Sequence, residues 1–237
     1  MRNLFNIIIK ITDFFYQRKI INFFKKNITT EYKVLIDVGA HKGETVSNFL
    51  KNFKIKNTYS FEASAATYQS LMKNIKKLKD RYKDTNIEIF NNAVGDSNEK
   101  KIFNELPDSN SSTFNLIDQT SSYFRRKNKI MSFFFKKEFI IKKNYVPQIK
   151  LSDFIKKKNI INIDILKIDT EGYEYEVLKG LEENIQLVNF VYFEHHYDNM
   201  IKKNYKFSEI HDFLSINGFY RVFKIKMPLR KSFDYIY

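Results

Sequence analysis

The chain contains no cysteine and no tryptophan, and it has only six glycines and three prolines. The lack of cysteine excludes disulfide bonds and cysteine-ligated metal centres, and it is compatible with a reducing compartment. No apolar run reaches the roughly 18 residues of a membrane-spanning helix, because charged residues interrupt the apolar N-terminus at Lys10, Asp13 and Arg18. No small-residue cleavage site follows, so we expect no secretory signal and a cytoplasmic protein.

Charge and composition limit the kinds of partner that the chain can have. Its 237 residues and 43% hydrophobic content predict one folded domain with a full core. The formal net charge of +14 makes nucleic acids and anionic membranes candidate partners. The basic residues are mostly Lys, however, and the excess of Ile, Asn, Phe and Tyr indicates an AT-rich genome as the main source of the charge. Specific nucleic-acid contacts favour Arg, so nucleic acid is not the leading hypothesis.

Residues 1–30 form a predicted N-terminal extension with an amphipathic helix over residues 1–27. Its apolar residues recur at helical spacing, and Lys25 and Lys26 near its end suit the helix dipole. Two interpretations stay open. The helix packs on the domain, or it lies on an anionic membrane as a peripheral contact.

Strand and helix patterns alternate through the rest of the chain, residues 31–237. Strands are predicted at 33–38, 57–62, 87–94, 163–169 and 187–195, with two last strands at 219–225 and 232–237 that form a hairpin. Helices are predicted at 43–53, 65–78, 173–183 and 207–217. This alternation predicts an α/β fold of the Rossmann-like type, in which helices cover both faces of a mostly parallel sheet.

Residues 97–150 are the exception, because this stretch shows no clean period. It carries strand-like segments at 100–106 and 146–151 and a basic, aromatic segment at 123–139, and Ser152 is placed to cap the next helix. We interpret it as an irregular insert that forms a substrate lid, or as a surface extension without a chemical role.

The most informative segment is VLIDVGAHKGET at residues 34–45, a strand followed by a glycine turn and a helix. His41 stands where a dinucleotide site needs its middle glycine, and no G-K-[ST] ending follows Gly43. Glu44 at the helix start disfavours a phosphate. The pattern of Asp37, Gly39 and Gly43 fits S-adenosylmethionine, which carries a sulfonium cation and no phosphate.

The next two strands supply partners for this loop. Glu62 ends the second strand 23 residues after Gly39, where an acid accepts both ribose hydroxyls of an adenosine. The third strand ends near Asn92 and Ala93, which offer a polar partner and space for an adenine. The alternative for Glu62 is a solvated strand end.

A second polar cluster follows the later strands. Asp169 and Glu171 end one strand, and His195 and His196 end the next. A hydroxyl acceptor needs a base for its proton, so one of the two histidines is the candidate base and Asp169 or Glu171 positions the acceptor. The alternatives are structural histidines, or a Mg²⁺ ion held by Asp169, Glu171 and Glu194.

These motifs together resemble the FkbM-type methyltransferases over residues 33–220. The matching pieces are DVGAHKG at 37–43, FE at 61–62, NAVGD at 92–96, SST at 111–113, LSD at 151–153, LKIDTEGYE at 166–174 and VLKG at 177–180. The resemblance implies a class I fold with a seven-stranded sheet, S-adenosylmethionine as cofactor, and O-methylation of a sugar or secondary metabolite. It also implies cofactor roles for Asp37, Gly39, Gly43 and Glu62. Asp169 and Glu171 would belong to the active site. His41 stands where the family commonly has Asn.

Three hypotheses follow for the function. The first is an O-methyltransferase for a small-molecule or glycan hydroxyl, and the sequence leaves open whether it needs a divalent metal. The second is an RNA methyltransferase that uses Arg125, Arg126 and the Lys-rich faces as a groove. The third is a non-catalytic module that keeps the cofactor fold. The sequence leaves the acceptor and the oligomeric state open.

Overall fold

The computed structural model describes residues 2–28, 31–106, 111–135, 140–228 and 230–237, except for the side chains of residues 2–11, 131 and 133–135. Its helices are α1 (Arg2–Asn27), α2 (Glu44–Asn52), α3 (Ala65–Arg81), α4 (Ser122–Phe135), α5 (Leu151–Lys158), α6 (Glu174–Lys179) and α7 (Phe207–Ile216). Its strands are β1 (Tyr32–Val38), β2 (Ile55–Phe61), β3 (Asn86–Phe90), β4 (Ala93–Gly95), β5 (Glu99–Glu105), β6 (Leu116–Ile117), β7 (Lys142–Lys150), β8 (Ile163–Ile168), β9 (Val188–His196), β10 (Ile201–Lys202), β11 (Phe223–Lys226) and β12 (Ser232–Ile236).

Seven of these strands form one mixed sheet in the order β11-β12-β9-β8-β1-β2-β3. The pairs from β9 to β3 are parallel, whereas β12 runs antiparallel to both β9 and β11. The last two strands form the predicted hairpin. The order reverses at β1, so the carboxyl ends of β1 and β8 meet at a topological switch point, where open α/β sheets bind ligands.

The strands are apolar on both faces because helices cover both sides of the sheet. One core joins Ile36 and Val38 of β1 to Phe154 of α5, Val177 of α6 and Leu214 of α7. The other joins Leu35 to residues of α1, α2 and α3, namely Phe24, Phe49 and Leu71. Alternate residues of β1 thus serve opposite cores.

The second half of α1 packs against the domain. Ile20 and Phe24 are fully buried, and the Phe24 ring lies 5.4 Å from Phe49 and 5.8 Å from Phe190, centroid to centroid. Phe14 and Phe15 are exposed. Contact of this exposed face with an anionic membrane stays a prediction. Among the helices that the structure describes, none has the length and apolar character needed to cross a membrane.

The segment 97–150 is more regular than its sequence indicates. β5 pairs antiparallel with β7 along the whole of β5, and β4 adds to the end of β7 as a third strand. In the sequence, α4 falls between β5 and β7 and includes most of the basic, aromatic segment. Residues 136–139 of that segment lie outside the described residues. The sequence pattern is unclear because this small sheet is mostly exposed, so few positions need to be apolar.

Three local predictions were wrong. The strand predicted at 87–94 is split between β3 and β4, because the Asn91 side chain donates to the Glu62 and Ala63 carbonyls and replaces ladder bonds. The helix predicted at 173–183 ends at Lys179, and a 3₁₀ helix follows at Glu182–Leu187. Ser152 does not cap α5, because the preceding strand continues to Lys150, which takes that position.

Candidate active site

A cleft of about 350 Å³ opens at the carboxyl ends of the central strands. Its walls come from the loops after β1, β2 and β8, from the ends of β9 and β12, from α1, and from the segment 97–150. Of the residues predicted for the site, those that line the cleft are Gly39, His41, Glu62, Asn92, Ala93, Asp169 and Glu171.

Gly39 closes the first turn of the glycine loop. Its φ of 81° is in the left-handed region, and its N–H donates to the Phe61 carbonyl at 2.9 Å. A Cβ at this position would lie 1.8 Å from the main-chain oxygen of Asp169. Glycine is therefore needed here because the loop after β1 passes directly against the end of β8.

Glu62 is held in place by two main-chain donors. The His41 N–H donates to Oε2 and the Ser64 N–H donates to Oε1, each at 2.9 Å. Burial raises the pKa of the Glu62 carboxyl to about 7, and the two N–H donors oppose this shift. Each carboxylate oxygen keeps a further lone pair for a ligand hydroxyl.

Asn92 and Ala93 continue the same wall of the cleft beyond Glu62. Phe103 of β5 and Phe114 of the following loop face this region, with ring centroids 4.8 Å apart. The end of the cleft near Glu62 thus combines a fixed carboxylate with aromatic and small apolar surfaces, which suits a flat ring joined to a diol.

Gly43 and Asp37 lie behind the cleft rather than in its lining. A Cβ on Gly43 would lie 3.1 Å from Leu71 Cδ1, so this glycine provides space for α3. Asp37 is buried, its two carboxylate oxygens lack hydrogen-bond partners, and it pairs in register with Lys167. Burial raises the pKa of Asp37 to about 7 although Lys167 opposes the shift.

Lys167 is the buried cation of the site. Its Nζ lies 3.3 Å from Asp169 Oδ2 and 4.6 Å from the centroid of the Tyr192 ring. Burial alone would raise the pKa of Asp169, but Lys167 and His196 outweigh it and hold the pKa below its ordinary value. Asp169 is therefore ionised at neutral pH in the cleft.

Glu171 and Glu194 face the cleft, and His196 lies behind them. His196 Nε2 is 3.2 Å from Glu171 Oε2 and 3.1 Å from Glu194 Oε1, and its Nδ1 is 3.6 Å from Asp198. Nε2 has no aligned hydrogen bond, so these contacts are ion pairs. Burial would lower the pKa of His196, but these carboxylates outweigh it and raise the pKa to about 10.

Both carboxyls beside His196 are weaker acids than usual. Burial raises the pKa of Glu171 to about 8, and the charges of Glu194 and Asp169 add to the shift while His196 opposes it. Burial and Asp169 likewise raise the pKa of Glu194 to about 7. Among the described residues, no group of three His, Asp or Glu side chains is arranged to hold a metal ion.

His195 points to the opposite face of the sheet. Its ring packs 4.8 Å from Tyr197 and 5.2 Å from Phe207, centroid to centroid, and it does not line the cleft. Burial lowers the pKa of His195 to about 3. Adjacent residues of a strand point to opposite faces, so the two histidines could not both reach the cleft.

Several cleft residues were missed by the sequence analysis. They come from elements at both ends of the chain and from β8, namely Asp13, Gln17, Lys167, Met227, Arg230 and Asp234. Lys167 offers one usable signal, since a lysine inside an apolar strand beside acids is unusual for a core position. The others lie far from every motif in sequence.

Comparison with known proteins identifies the family. The model of the methyltransferase FkbM domain matches residues 37–221. The crystal structure of methyltransferase FkbM from Methylobacillus flagellatus KT is 14% identical with a TM-score of 0.55, and the match covers 87% of this chain and 44% of that one. The chain thus spans less than half the length of that protein.

Two further structures are more distant. M. capricolum TrmK, solved with S-adenosyl-homocysteine, is 13% identical with a TM-score of 0.48, and the match covers 91% of this chain and 66% of that one. A SAM-dependent methyltransferase from Aquifex aeolicus is 15% identical with a TM-score of 0.47, covering 93% and 87%. No curated protein matches. The family model covers most of the chain and confirms the predicted family: the chain belongs to the methyltransferases with an FkbM domain.

Proposed function

We propose that the chain transfers the methyl group of S-adenosylmethionine to a hydroxyl group of a sugar, glycan or secondary metabolite. The observation that carries the proposal is the continuity of one cleft. It runs from Glu62, fixed by two main-chain N–H groups, to the carboxyls of Asp169, Glu171 and Glu194. When bound, S-adenosylmethionine supplies an activated methyl group on a sulfonium cation.

The residues around Glu62 fit the adenosyl part of this cofactor. Glu62 has lone pairs for the ribose hydroxyls, and Asn92 and Ala93 offer an amide and open space for the base. Gly39 keeps the loop main chain at the cleft wall. Gly43 and Asp37 support this wall from behind, Gly43 against α3 and Asp37 beside Lys167.

We assign the base to Glu171. His196 carries a proton at neutral pH because its pKa is about 10, so it cannot accept a second one. Glu171 lines the cleft, and its pKa of about 8 makes its ionised form, which becomes the major form above pH 8, a stronger base than an ordinary carboxylate. It is also more accessible than Glu194, with 14% against 4% of the side chain exposed.

The neighbouring groups position the reaction. Asp169 stays ionised beside Lys167 and accepts a hydrogen bond from the acceptor, which orients the attacking oxygen. His196 stabilises the charge of Glu171 and Glu194 from behind. The proton lost by the hydroxyl passes to Glu171.

A turnover assay tests this assignment. Hydroxyl compounds are screened for S-adenosylhomocysteine release, and the best acceptor is used with Glu171→Gln. We expect kcat to fall by about 10²–10⁴-fold, the usual contribution of a positioned base, with unchanged affinity for S-adenosylhomocysteine. The matched control is Glu183→Gln, an exposed acid paired with Lys156, which should leave both values unchanged. A Glu171→Gln enzyme with wild-type kcat would remove Glu171 from this role.

A further inference from the structure

The end of the cleft opposite Glu62 is built partly by elements outside the matched family domain. Helix α1 contributes Asp13, the turn before β12 contributes Arg230, and β12 contributes Asp234. All three residues lie outside the family match, which covers residues 37–221. Together with Asp169, Glu171 and Glu194, these residues define what we call the acceptor end.

The acceptor end has more carboxyl groups than cations. Its carboxylates are Asp13, Asp169, Glu171, Glu194 and Asp234, and the cations in the lining are Lys167 and Arg230. Behind the lining, His196 adds one cation and Asp37 adds one carboxyl group with a pKa of about 7. Five carboxyl groups therefore face two cations, and the charges of neighbouring carboxylates add to the raised pKa of Glu171 and Glu194, so a bound cation would favour the ionised forms of both. A surplus of one sign in a half-buried cleft favours a ligand of the opposite sign.

Two buried carboxylates each have one oxygen that accepts no aligned hydrogen bond. Glu194 is 3% exposed and its Oε1 accepts no hydrogen bond, since the nearby His196 is out of alignment. Asp234 is 2% exposed; its Oδ2 accepts from the Tyr192 hydroxyl at 2.7 Å, whereas its Oδ1 accepts no aligned hydrogen bond, although the Tyr16 hydroxyl lies close to this carboxylate. Both side chains line the cleft, so a donor on a ligand could satisfy them.

Arg230 does not provide a phosphate site. Burial opposes the charge of its guanidinium, but Glu194, Glu171, Asp169 and Asp13 surround it and raise its pKa. Its charge is thus already balanced by carboxylates of the same cleft. A phosphate beside Arg230 would also face these carboxylates, which repel it.

We propose that the acceptor carries a protonated amine close to the hydroxyl that is methylated, as in an amino sugar, and that the surplus carboxylates of the acceptor end bind this amine. The inference rests on the proposed function, because it names the acceptor class of the same site. The sulfonium of the cofactor offsets one negative charge, and the acceptor ammonium offsets a second. An ammonium group also supplies three N–H donors for the oxygens of Glu194 and Asp234 that accept no aligned hydrogen bond.

Binding to the protein saturated with S-adenosylhomocysteine tests the inference. D-glucosamine, D-glucose and D-glucose 6-phosphate are titrated separately in low salt. We expect glucosamine to bind about tenfold more tightly than glucose, equivalent to ~1.4 kcal/mol, and the phosphate to bind more weakly than glucose. Equal affinity of glucosamine and glucose, no binding of glucosamine, or preference for the phosphate would each overturn the inference.

A charge variant locates the effect. Asp13→Asn removes one carboxylate at the partly exposed rim, and it should reduce the preference for glucosamine over glucose with unchanged S-adenosylhomocysteine affinity. Asp212→Asn, on the exposed face of α7, should leave the preference intact. An unchanged preference in Asp13→Asn would contradict the location. Failure of the wild-type protein to bind S-adenosylhomocysteine would instead remove the proposed function itself.

Discussion

The main-chain N–H of His41 donates to Glu62 Oε2 over 2.9 Å, and this bond joins the glycine loop to the end of the neighbouring strand. The loop and the acid are separate motifs in the sequence, but in the fold they form one wall of the cleft. His41 itself has a φ of 49°, which lies in the left-handed region that non-glycine residues adopt infrequently. The loop geometry and the acid are thus coupled.

We expect Glu62→Ala to weaken S-adenosylhomocysteine binding. The variant removes a charged acceptor for two hydroxyl donors, which costs about 1.5–3 kcal/mol or roughly 10- to 100-fold in Kd. Isothermal titration calorimetry measures the change. The exposed Glu183→Ala serves as control and should bind as the wild type does. Wild-type affinity in Glu62→Ala, with the variant folded by circular dichroism, would refute the assignment.

Gly39→Ala should destabilise the fold far more than Gly218→Ala. Both glycines have left-handed φ angles, 81° and 88°, which cost a non-glycine residue about 1–2 kcal/mol. A Cβ on Gly218 meets no atom within 4 Å, whereas a Cβ on Gly39 would lie 1.8 Å from the Asp169 carbonyl oxygen. Urea unfolding compares the two variants, and equal losses would mean that β1 and β8 do not approach each other as described.

Asp37→Asn should become more stable relative to the wild type as the pH rises. The pKa of Asp37 is about 7 in the folded chain and about 3.9 when unfolded. The folded wild type therefore binds the extra proton, so its stability from this group is full below pH 4 and is lost as the pH rises to 7. Asn mimics the protonated acid and shows no such loss.

Urea unfolding of both proteins at several values between pH 4.5 and 8 checks this expectation. Each pH unit inside the window is worth up to about 1.4 kcal/mol. Asp212→Asn removes an exposed carboxylate and should track the wild type. A wild-type curve parallel to that of Asp37→Asn would show that Asp37 titrates normally in the fold.

RNA should bind this chain without being methylated. The net charge of +14 attracts a polyanion, and Arg125 and Arg126 are exposed on α4. The binding should fall steeply with salt, as expected for phosphate contacts. If the acceptor end binds an amine as we propose, its carboxylates should repel phosphates from the cleft. Fluorescence anisotropy and transfer of a labelled methyl group measure the two properties, and methylated RNA would restore the alternative.

Local pattern was sufficient for most of the fold. Apolar strands that alternate with helices predict a Rossmann-like sheet, because each strand must bury both faces. One wrong prediction lies where a side chain competes with the main chain for hydrogen bonds, as Asn91 does after β3. The pattern is also unclear where a strand is exposed, as in β5 and β7, since exposure removes the need for an apolar pattern.

The sequence by itself determined the glycine loop, the acid Glu62 and the motif around Asp169, because each depends on residues close together along the chain. Only the tertiary structure decided which groups share the cleft. Because adjacent residues of a strand point to opposite faces, His195 packs among aromatic side chains, whereas His196 lies beside Glu171 and Glu194. Burial then set their protonation, and chain-distant Asp13, Arg230 and Asp234 gave the acceptor end its charge. Charge and burial act through space, so sequence separation carries no information about them.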